Sequence, residues 1–399
     1  MRILYAAIDQ TVPGSLGGSV HVRAVAEGLA ALGHEVHVAT TPGTPWPPPV
    51  PHSALSHSAL PHSVTWHPMS PPAGVPALRW LRRRAIVDLA RRVGVSAIME
   101  RYYNFGGEGV LAARELGVPA ILEVNAPVID HPGSAKATLD RALVVEPMRR
   151  WRDRICRATD LFVTPSAEIL PTWVDPQRVL ETEWGADTEQ FRPEAAGLRA
   201  PHGQSPATTL DPSRVWCVFA GAFRAWHGAA LLTAALAALH RRGDTRFGAV
   251  LIGDGPERAA AERESAGIPG IIFTGAVPHD DLPAHLAAAD IGVAPFDPGR
   301  HPPLQLGFFW SPLKVFEYMA SGLPVVAPRL PRLSHLVEHG REGLLYDPGV
   351  PDALAATLTQ LGDAGLRRQI GAAARARAVR DFSWAAHCAA LDARLRALA

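Results

Sequence analysis

Apolar runs of strand length alternate with helix-like patterns along the first half of the chain. The alternation begins with a strand-like run at residues 2–8, a loop and helix at 17–33, and a second strand at 34–40. Strands that alternate with helices in this way are typical of βα units, which build parallel sheets. The next strands and helix in this half are predicted at residues 96–101, 107–117, 119–125 and 160–166.

A second series of βα units follows a stretch rich in Pro, Gly and Ser at residues 192–213. The sequence therefore predicts an α/β protein with two doubly wound, Rossmann-like domains joined by a linker. Strands of the second domain are predicted at 215–221, 247–253, 271–275, 291–296 and 324–328. We expect an N-terminal domain at 1–195, a linker at 196–213, a C-terminal domain at 214–380 and a final helix at 381–399.

Residues 43–76 break this pattern, because they are rich in Pro, His and Ser. Four histidines, His52, His57, His62 and His67, follow one another at intervals of five. That interval does not bring side chains to one face of a helix or strand, and the repeated prolines disfavour both elements. A metal site is the alternative, but we expect an irregular surface loop.

Size and composition narrow the class of protein. A chain of 399 residues exceeds what one hydrophobic core usually supports. The 39 basic and 38 acidic residues leave a formal net charge of +1, which gives no electrostatic reason to expect a nucleic-acid partner. The first residues contain too short an apolar run for a secretory signal, and no apolar stretch is long enough to span a membrane.

The number and spacing of the cysteines bear on the cellular compartment. Cys156, Cys217 and Cys388 are odd in number, far apart and not arranged as C-x-x-C, so the sequence suggests neither a disulfide framework nor a zinc cluster. A reducing environment fits this pattern. We expect a soluble, cytoplasmic protein.

The first strand leads into a glycine-rich loop ahead of a helix, where ligands of open α/β sheets usually bind. Gly17 and Gly18 would let backbone N–H groups at the helix start approach an anion. The same residues also fit an ordinary turn capped by Ser19, and the local sequence leaves both interpretations open. No G-x-G-x-x-G, Walker-type, H-E-x-x-H or G-x-S-x-G motif occurs, which disfavours dehydrogenases, NTPases, zinc proteases and α/β-hydrolases.

Several ordered segments in the second half resemble glycosyltransferase family 4. They read "FAGAFRAWHGAALLTAALAAL" (219–239), "LIGDGPERAAAE" (251–262), "FTGAVPHDDLPAHLAAADIGVAPF" (273–296) and "SPLKVFEYMASGLPVVAPRLPRLSHLVEHGREGLLYDPG" (311–349). "GGSVHVRAVAEGLAALGHEVHV" near the start and "EWGADTEQFRP" (183–193) are also similar to the family, so the resemblance extends over nearly the whole chain.

The resemblance implies a GT-B fold, in which two Rossmann-like domains face each other across a cleft and the C-terminal helix crosses back to the N-terminal domain. It also implies a retaining enzyme that moves a hexosyl group from a nucleoside-diphosphate sugar to a hydroxyl of a glycan, small-molecule or lipid acceptor. We expect no metal ion, since the family needs no D-x-D-type cluster. A nucleotide-sugar epimerase and a catalytically degenerate nucleotide-sugar-binding protein remain the alternatives.

By the same resemblance the C-terminal domain binds the donor. Glu317, in "FEYMASG", would accept hydrogen bonds from the ribose hydroxyls; its alternative role is that of a solvated glutamate in the first turn of a helix. The preceding loop, Ser311, Pro312, Leu313 and Lys314, would meet the pyrophosphate through backbone N–H groups, with Lys314 adding a charge. An exposed lysine is the other interpretation of Lys314.

The chain departs from the family at two places. Where the family has the first glutamate of its E-x7-E pattern, which contacts the donor sugar, this chain has Phe309. We expect backbone groups of residues 308–313, including Phe309, to make the contacts to the donor sugar instead. In the loop that begins at Gly221, Ala222 and His227 stand where the family has an arginine and a lysine that neutralise the diphosphate. We expect Arg224 to be the main cation and His227 to assist it, with placement at the rim of the cleft as the alternative.

The remaining site residues lie at the ends of other strands. By resemblance the nucleobase would pack near Gly253 and Val277. Acceptor binding is expected from the N-terminal domain, where polar residues follow two strands at the edge that faces the cleft; Glu123 and Asn125 also fit framework positions. The expected acceptor-binding residues are Arg101, Tyr102, Asn104, Glu123 and Asn125.

Two stretches combine arginine with tryptophan, "LRWLRRR" (78–84) and "MRRWRDRICR" (148–157). Such helices can rest on an anionic bilayer, and they can equally be solvated helix faces with arginines lying over a tryptophan. A weak peripheral membrane contact therefore stays open. The sequence gives no prediction of the oligomeric state.

Overall fold

The computed structural model describes residues 1–14, 16–48, 64–131, 133–197 and 210–398. Their contacts divide the chain into two compact units. The first contains Met1–Trp184, Phe309–Ser311 and Trp384–Ala399, and the second contains Gly185–Phe308 and Pro312–Ser383. Most of the predicted linker, residues 198–209, lies outside the described residues.

The first unit is built on a parallel sheet of seven strands in the order β3-β2-β1-β4-β5-β6-β7. The inner strands are almost continuously buried, as expected for a sheet covered on both faces. The strands are β1 (Arg2–Val12), β2 (Glu35–Pro42), β3 (Val64–Pro68), β4 (Ala97–Tyr102), β5 (Ala120–Val124), β6 (Leu161–Thr164) and β7 (Val179–Glu181).

Helices follow most of these strands, and short 3-10 turns fill several of the connections. The helices of the first unit are α1 (Gly17–Ala31), α2 (Arg83–Val93), α3 (Glu108–Leu116), α4 (Ala135–Leu143), α5 (Pro147–Ala158) and α13 (Trp384–Leu398). The 3-10 turns are Pro72–Gly74, Pro76–Arg82, Ala167–Ile169 and Pro176–Arg178.

The second unit has a parallel sheet of six strands in the order β10-β9-β8-β11-β12-β13. Its strands are β8 (Val215–Ala220), β9 (Phe247–Ile252), β10 (Ile271–Gly275), β11 (Ile291–Val293), β12 (Val325–Pro328) and β13 (Gly343–Tyr346). Its helices are α6 (Ala229–Arg241), α7 (Arg258–Glu264), α8 (Leu282–Ala287), α9 (Leu313–Ala320), α10 (Pro331–Leu336), α11 (Ala353–Gln360) and α12 (Ala364–Asp381).

The strand orders confirm the prediction of two doubly wound α/β units. In each unit the first strand lies inside the sheet, the next two strands extend the sheet to one edge, and the remaining strands extend it on the other side. The order therefore reverses beside β1 in the first unit and beside β8 in the second. Ligands of such sheets bind at the carboxyl ends of the strands next to this reversal.

The prediction of an irregular loop over residues 43–76 is wrong for residues 64–68. Residues 64–68 form β3, which pairs in parallel with β2, and the partly buried Val64 and Trp66 pack against the core. The edge position of β3 explains why prolines nearby are tolerated. His67 lies on this strand, whereas His52, His57 and His62 lie outside the described residues. Strands β7 and β13, of three and four residues, were also not predicted.

No helix within the described ranges is long and apolar enough to cross a membrane. The three cysteines are free thiols, and all three are buried.

The first and last helices of the first unit approach each other closely. A Cβ added at Gly28 of α1 would overlap the Sγ atom of Cys388 in α13. Leu391 and Leu395 of α13 belong to the same hydrophobic core as Val25 and Leu29 of α1. Gly28 is therefore required for close packing of these two helices rather than for backbone freedom.

We expect Gly28→Ala to lower the free energy of unfolding by about 1–3 kcal/mol, because the added methyl group overpacks this contact. Urea unfolding followed by circular dichroism measures the loss. The same substitution in a Cys388→Ala background, where the thiol is absent, should cost less by at least about 1 kcal/mol. Equal costs in both backgrounds would show that the two helices do not meet at this point.

Candidate active site

Three glycines shape the carboxyl edge of the second sheet beside β8. Gly221 follows β8, and Gly253 and Gly255 follow β9, all with positive φ. A Cβ on Gly253 would overlap the carbonyl oxygen of Gly221, so the two loops touch through their backbones. The amide of Gly221 donates to Ile252 (3.0 Å), and that of Gly253 donates to Gly275 at the end of β10 (2.8 Å).

The ammonium group of Lys314 lies beside this edge. Lys314 is in the first turn of α9, and a Cβ placed on Gly221 would be 2.9 Å from its Nζ atom. The Nζ atom is shielded from water and has no hydrogen-bond partner within the described part of the chain. It faces the rings of Phe219 and Phe296, at 4.3 and 5.3 Å from their centroids. The structure thus excludes the exposed lysine that the sequence left open.

Burial lowers the pKa of Lys314 to about 7, although the nearby charge of Glu317 acts in the opposite direction. A buried cation without an acceptor is costly. An anion that entered this position would remove the cost, and for that reason an anion site is the simplest chemical explanation of the arrangement.

The two other predicted cations differ in their surroundings. His227 is half-buried with Nδ1 directed at the carbonyl oxygen of Ala222, and burial, followed by the charge of Lys314, holds its pKa well below the usual range. A neutral imidazole can accept or donate a hydrogen bond but supplies no positive charge. Arg224 is exposed and precedes the 3-10 turn Ala225–His227. Among Lys314, His227 and Arg224, Lys314 is therefore the residue that places a buried cationic group at this edge.

Glu317 is buried one turn further along α9, and its Oε1 atom lies 3.1 Å from Nε2 of His279. Burial opposes protonation of His279, but the hydrogen bond and charge of Glu317 outweigh it and raise the pKa of the imidazole. His279 follows β10 by four residues and also packs edge-on against Phe191 (5.5 Å between centroids). The Glu317 carboxylate is therefore buried and oriented by His279, and it is not a solvated glutamate.

The second unit brings most of the predicted donor residues to one edge. Gly221, Gly253, Lys314 and Glu317 gather there, and Val277 lies two residues before His279. Pro312 and Leu313 form the start of α9, with the carbonyl oxygen of Pro312 accepting from Val315 (2.8 Å).

Phe309 and Ser311 make their contacts within the first unit. The Phe309 ring is buried and packs against Trp310, 4.9 Å between centroids. The Ser311 hydroxyl donates to Glu183, and its oxygen accepts from the amide of Trp184 (2.9 Å). Their side chains are engaged in the protein, which leaves backbone groups as their route to a ligand.

In the first unit, the start of α1 lies against the end of β1. A Cβ on Gly18 would overlap Oε1 of Gln10 and would be 3.5 Å from Nη2 of Arg101. Helix α1 has no side-chain cap and no acidic residue in its first turn, so Ser19 does not cap it as the alternative interpretation required. Gly17 and Gly18 both lie inside the first turn of α1, where backbone N–H groups lack intrahelical partners.

Glu123 is the centre of a buried hydrogen-bond network behind this helix start. Its Oε1 atom lies 2.8 Å from both Arg101 Nη1 and His21 Nε2, and it also accepts from Asn125. Tyr5 donates to Oε2. Burial would raise the pKa of Glu123, but the charges of His21 and Arg101 and the hydrogen bonds from His21 and Tyr5 reverse this and hold it far below the usual range. Glu123 is therefore an ionised framework residue with its partners already in place.

The predicted acceptor residues thus separate into groups. Arg101, Glu123 and Asn125 belong to one network, to which Trp184 adds a hydrogen bond from Nε1 to Asn125 Oδ1 (2.8 Å). Tyr102 alternates to the other face of β4. There its hydroxyl accepts from Lys136 (2.9 Å). Asn104 is half-buried in the turn after β4.

A buried ionic cluster that the sequence did not reveal lies on the other face of β4. The guanidinium of Arg79, which has no exposed surface, contacts Asp9 (3.1 Å), Glu100 (3.3 Å) and Glu108 (2.7 Å). Burial raises the pKa of Glu100 to about 8, and the charge of Glu108 adds to it, whereas Arg79 and two backbone amides lower it. The cluster fixes the 3-10 turn Pro76–Arg82 against the sheet.

Sequence reasoning also missed His21 and His279, which orient Glu123 and Glu317. A single histidine in a turn or helix carries no local pattern that separates these roles. The scarcity of lysine is a signal in the sequence that could have marked buried cations. The chain has many arginines but lysine only at positions 136 and 314, and both ammonium groups are buried. Within the described residues, no group of three His, Cys, Asp or Glu side chains is arranged to hold a metal ion.

Two family profiles match the chain, "Glycosyl transferase 4-like domain" over residues 17–170 and "Glycosyl transferases group 1" over residues 214–363. Together they span most of both units. The chain belongs to glycosyltransferase family 4 and is a glycosyltransferase of the GT-B fold that uses a nucleotide sugar.

Individual relatives agree with this class. The chain is 27% identical to the MMP alpha-(1->4)-mannosyltransferase of Mycolicibacterium hassiacum, over 92% of this chain and 91% of that protein. It is 30% identical to the sulfoquinovosyl transferase SQD2 of Arabidopsis thaliana over 58% of this chain, but this match spans only 44% of SQD2. The structure of Anabaena HepE with UDP-glucose superimposes with a TM-score of 0.70 at 18% identity, covering both chains fully.

The unpaired ammonium predicts a pH-dependent stability. Since the pKa of Lys314 falls from 10.5 to about 7 on folding, the unfolded chain binds more protons between these values. The free energy of unfolding of the wild-type protein should therefore rise with pH in this window relative to Lys314→Met. We expect Lys314→Met to stabilise the ligand-free protein at pH 6, by about 1–3 kcal/mol, and to lose this advantage towards pH 10.

Thermal unfolding of both proteins at pH 6 and pH 10 measures this difference. Lys136→Met is the matched control, because the Lys136 ammonium is also buried but donates to Tyr102 and to the carbonyl oxygens of Pro127 and Val128. That substitution should destabilise the protein. A destabilising Lys314→Met at pH 6 would mean that the ammonium has a partner in the free protein.

Proposed function

We propose that the protein is a retaining hexosyltransferase whose second unit binds the nucleoside-diphosphate sugar and whose first unit binds a hydroxyl acceptor. The observation that carries the donor site is the buried, unpartnered ammonium of Lys314 beside Gly221. A diphosphate at this position would supply the missing acceptor atoms. Backbone N–H groups at the start of α9 would add hydrogen bonds to the same anion.

We assign the principal diphosphate cation to Lys314 and a supporting role to Arg224. This revises the order expected from the sequence, because Arg224 is exposed and His227 has a low pKa. An ammonium in a water-excluded position stabilises the leaving diphosphate more strongly than an exposed guanidinium does. His227 would then contribute as a neutral hydrogen-bonding group.

Glu317 is proposed to accept hydrogen bonds from the ribose hydroxyls. Its Oε1 atom contacts His279, so Oε2 is the oxygen that we assign to the ribose. His279 is a positioning residue in this scheme, because it holds the carboxylate without touching the donor. The nucleobase would pack beside Gly253 and Val277.

The proposed transfer needs no covalent enzyme intermediate. The bond between the anomeric carbon and the β-phosphate oxygen breaks, and the acceptor oxygen bonds to the anomeric carbon on the same face. The acceptor proton passes to an oxygen of the departing nucleoside diphosphate, whose charge Lys314 balances. We propose that this reaction is metal-independent, since Lys314 provides the positive charge that a divalent cation would otherwise supply.

On the acceptor side, the preformed network around Glu123 is proposed to act through Arg101 and Asn125. Glu123 itself is saturated by Tyr5, His21, Arg101 and Asn125, so its role is to fix these neighbours. Gly17 and Gly18 at the start of α1, which the sequence assigns to donor binding, would allow an anion to approach the backbone. The proposed acceptor is a hydroxyl compound. The names of the relatives do not point to one common acceptor.

The donor nucleotide is best tested directly. The names of the relatives mention different sugars, and the HepE complex contains UDP-glucose. We expect one of UDP, GDP, ADP or dTDP, with its sugar conjugates, to raise the thermal midpoint of the protein at millimolar concentration or below. Glu317→Gln should weaken this nucleotide about tenfold to a hundredfold, since each hydrogen bond to the charged carboxylate contributes about 1.5–3 kcal/mol.

Glu264→Gln is the matched control, because Glu264 is an exposed glutamate of the same unit. It should leave the nucleotide-dependent shift unchanged. If no nucleotide stabilises the protein, or if Glu317→Gln binds as tightly as the wild-type protein, the assignment of the ribose carboxylate is wrong.

We further expect transfer from the selected donor to continue undiminished in excess EDTA and to keep the anomeric configuration of the donor. Proton NMR of the product, through its anomeric coupling constant, reports the configuration. Loss of activity on chelation that returns with Mg²⁺ would contradict metal independence. An inverted product would contradict the proposed attack on the same face.

A further inference from the structure

Two basic, tryptophan-containing segments that are distant in sequence meet on the first unit. Trp80 lies in the 3-10 turn Pro76–Arg82 and Trp151 lies in α5, and their rings pack edge to face with centroids 5.9 Å apart. The Nε1 atom of Trp151 donates to the carbonyl oxygen of Gly106 (2.8 Å), which fixes its ring. The pair is therefore a built feature of this surface.

The two indoles border an open apolar cavity of about 260 Å³, whose other lining residues are Phe105, Pro147 and Met148. Three residues before Pro147, the connection between α4 and α5 carries Val144, which is 85% exposed, and the exposed Val145. Leu81, beside Trp80, is also exposed. We call the exposed side chains Trp80, Leu81, Val144 and Val145, together with the half-buried Trp151, the indole patch.

The charges around the indole patch are positive. Arg83 and Arg149 of these segments are neutralised by Glu115 and by Asp130 with Glu146. Arg84, Arg150 and Arg154 are exposed, and none of them has an acidic partner in the part of the chain that the structure describes. The guanidinium of Arg154 lies 5.8 Å from the Trp151 ring centroid.

We propose that the indole patch docks this protein on an anionic lipid bilayer. Indole rings prefer the boundary between headgroups and acyl chains, where one edge is apolar and the other is wet. The exposed valines of the α4–α5 connection enter the acyl region, and the cavity that the tryptophans border receives part of an acyl chain. The three uncompensated arginines contact lipid phosphates.

A bilayer explains the chemistry of this surface better than a protein partner does. The apolar groups sit on a short connection and a 3-10 turn rather than on a long groove that would receive a helix or strand. The arginines without an acidic partner among the described residues leave an excess of positive charge, which matches an anionic lipid surface. The inference does not rest on the proposed donor site, and its test needs no sugar transfer.

The experiment is co-sedimentation of the full chain with vesicles of pure phosphatidylcholine and with vesicles that contain a third of phosphatidylglycerol. We expect binding to the mixed vesicles that exceeds binding to the neutral ones at least tenfold and weakens as salt is raised. Replacing both Arg150 and Arg154 by Gln should lower the partition constant by about tenfold or more, since each basic residue near such a surface strengthens binding about fivefold. Val144→Asp should reduce binding by a similar factor.

The controls are Arg368→Gln, Val350→Asp and inorganic phosphate. Arg368 is exposed, Val350 is an exposed loop valine, and both belong to the second unit, so these variants should bind vesicles as the wild-type protein does. Millimolar phosphate should not displace the protein from vesicles if the bilayer itself is the partner. Both patch variants keep every core contact, and their thermal midpoints verify folding.

Absence of binding to the mixed vesicles would overturn the proposal, as would equal losses in patch and control variants. Light scattering of the free protein gives the remaining outcome. A dimer that Val144→Asp dissociates would assign the indole patch to a second copy of this chain and would also overturn the membrane assignment.

Discussion

All strands of a parallel sheet end at the same edge, and in both units this constraint decides where chemistry can occur. In the second unit, the loops after β8 and β9 contact each other through their backbones at Gly221 and Gly253. Glycine is needed there because a side chain on Gly253 would overlap the other loop. This contact clears the edge beside β8, where Lys314 and Glu317 enter from α9. A side chain at Gly253 would separate the loops and displace the charged groups that depend on them.

The two units treat buried charge in opposite ways. In the first unit, Glu123 is paired with Arg101 and Arg79 is paired with three carboxyl groups, so these charges contribute to a rigid framework. In the second unit, the Lys314 ammonium is withdrawn from water but has no acceptor among the described residues. A buried charge with an oppositely charged neighbour fixes geometry, whereas a buried cation without one retains free energy that a ligand can release. This difference separates framework from binding site more clearly than residue type does.

The sequence was sufficient for the doubly wound fold, because buried parallel strands are long apolar runs that helices separate. It failed at β3, where Val64 and Trp66 follow a proline- and histidine-rich stretch, and at β7, which has three residues. Glu317 and Lys314 were found through the resemblance to the family, but their environments were not. Whether Lys314 is exposed or dry depends on Phe219 and Phe296, and whether Glu317 is held depends on His279; these contacts arise only on folding.

The first unit is discontinuous in sequence, because α13 supplies Leu391 and Leu395 to a core that begins at Ile3. During synthesis, the apolar face of α1 at Val25 and Leu29 therefore lacks its packing partner until α13 has been made. The second unit lies between these two parts and has all of its strands available earlier. The core of the first unit should thus be completed after that of the second, although all seven strands of its sheet come earlier in the sequence.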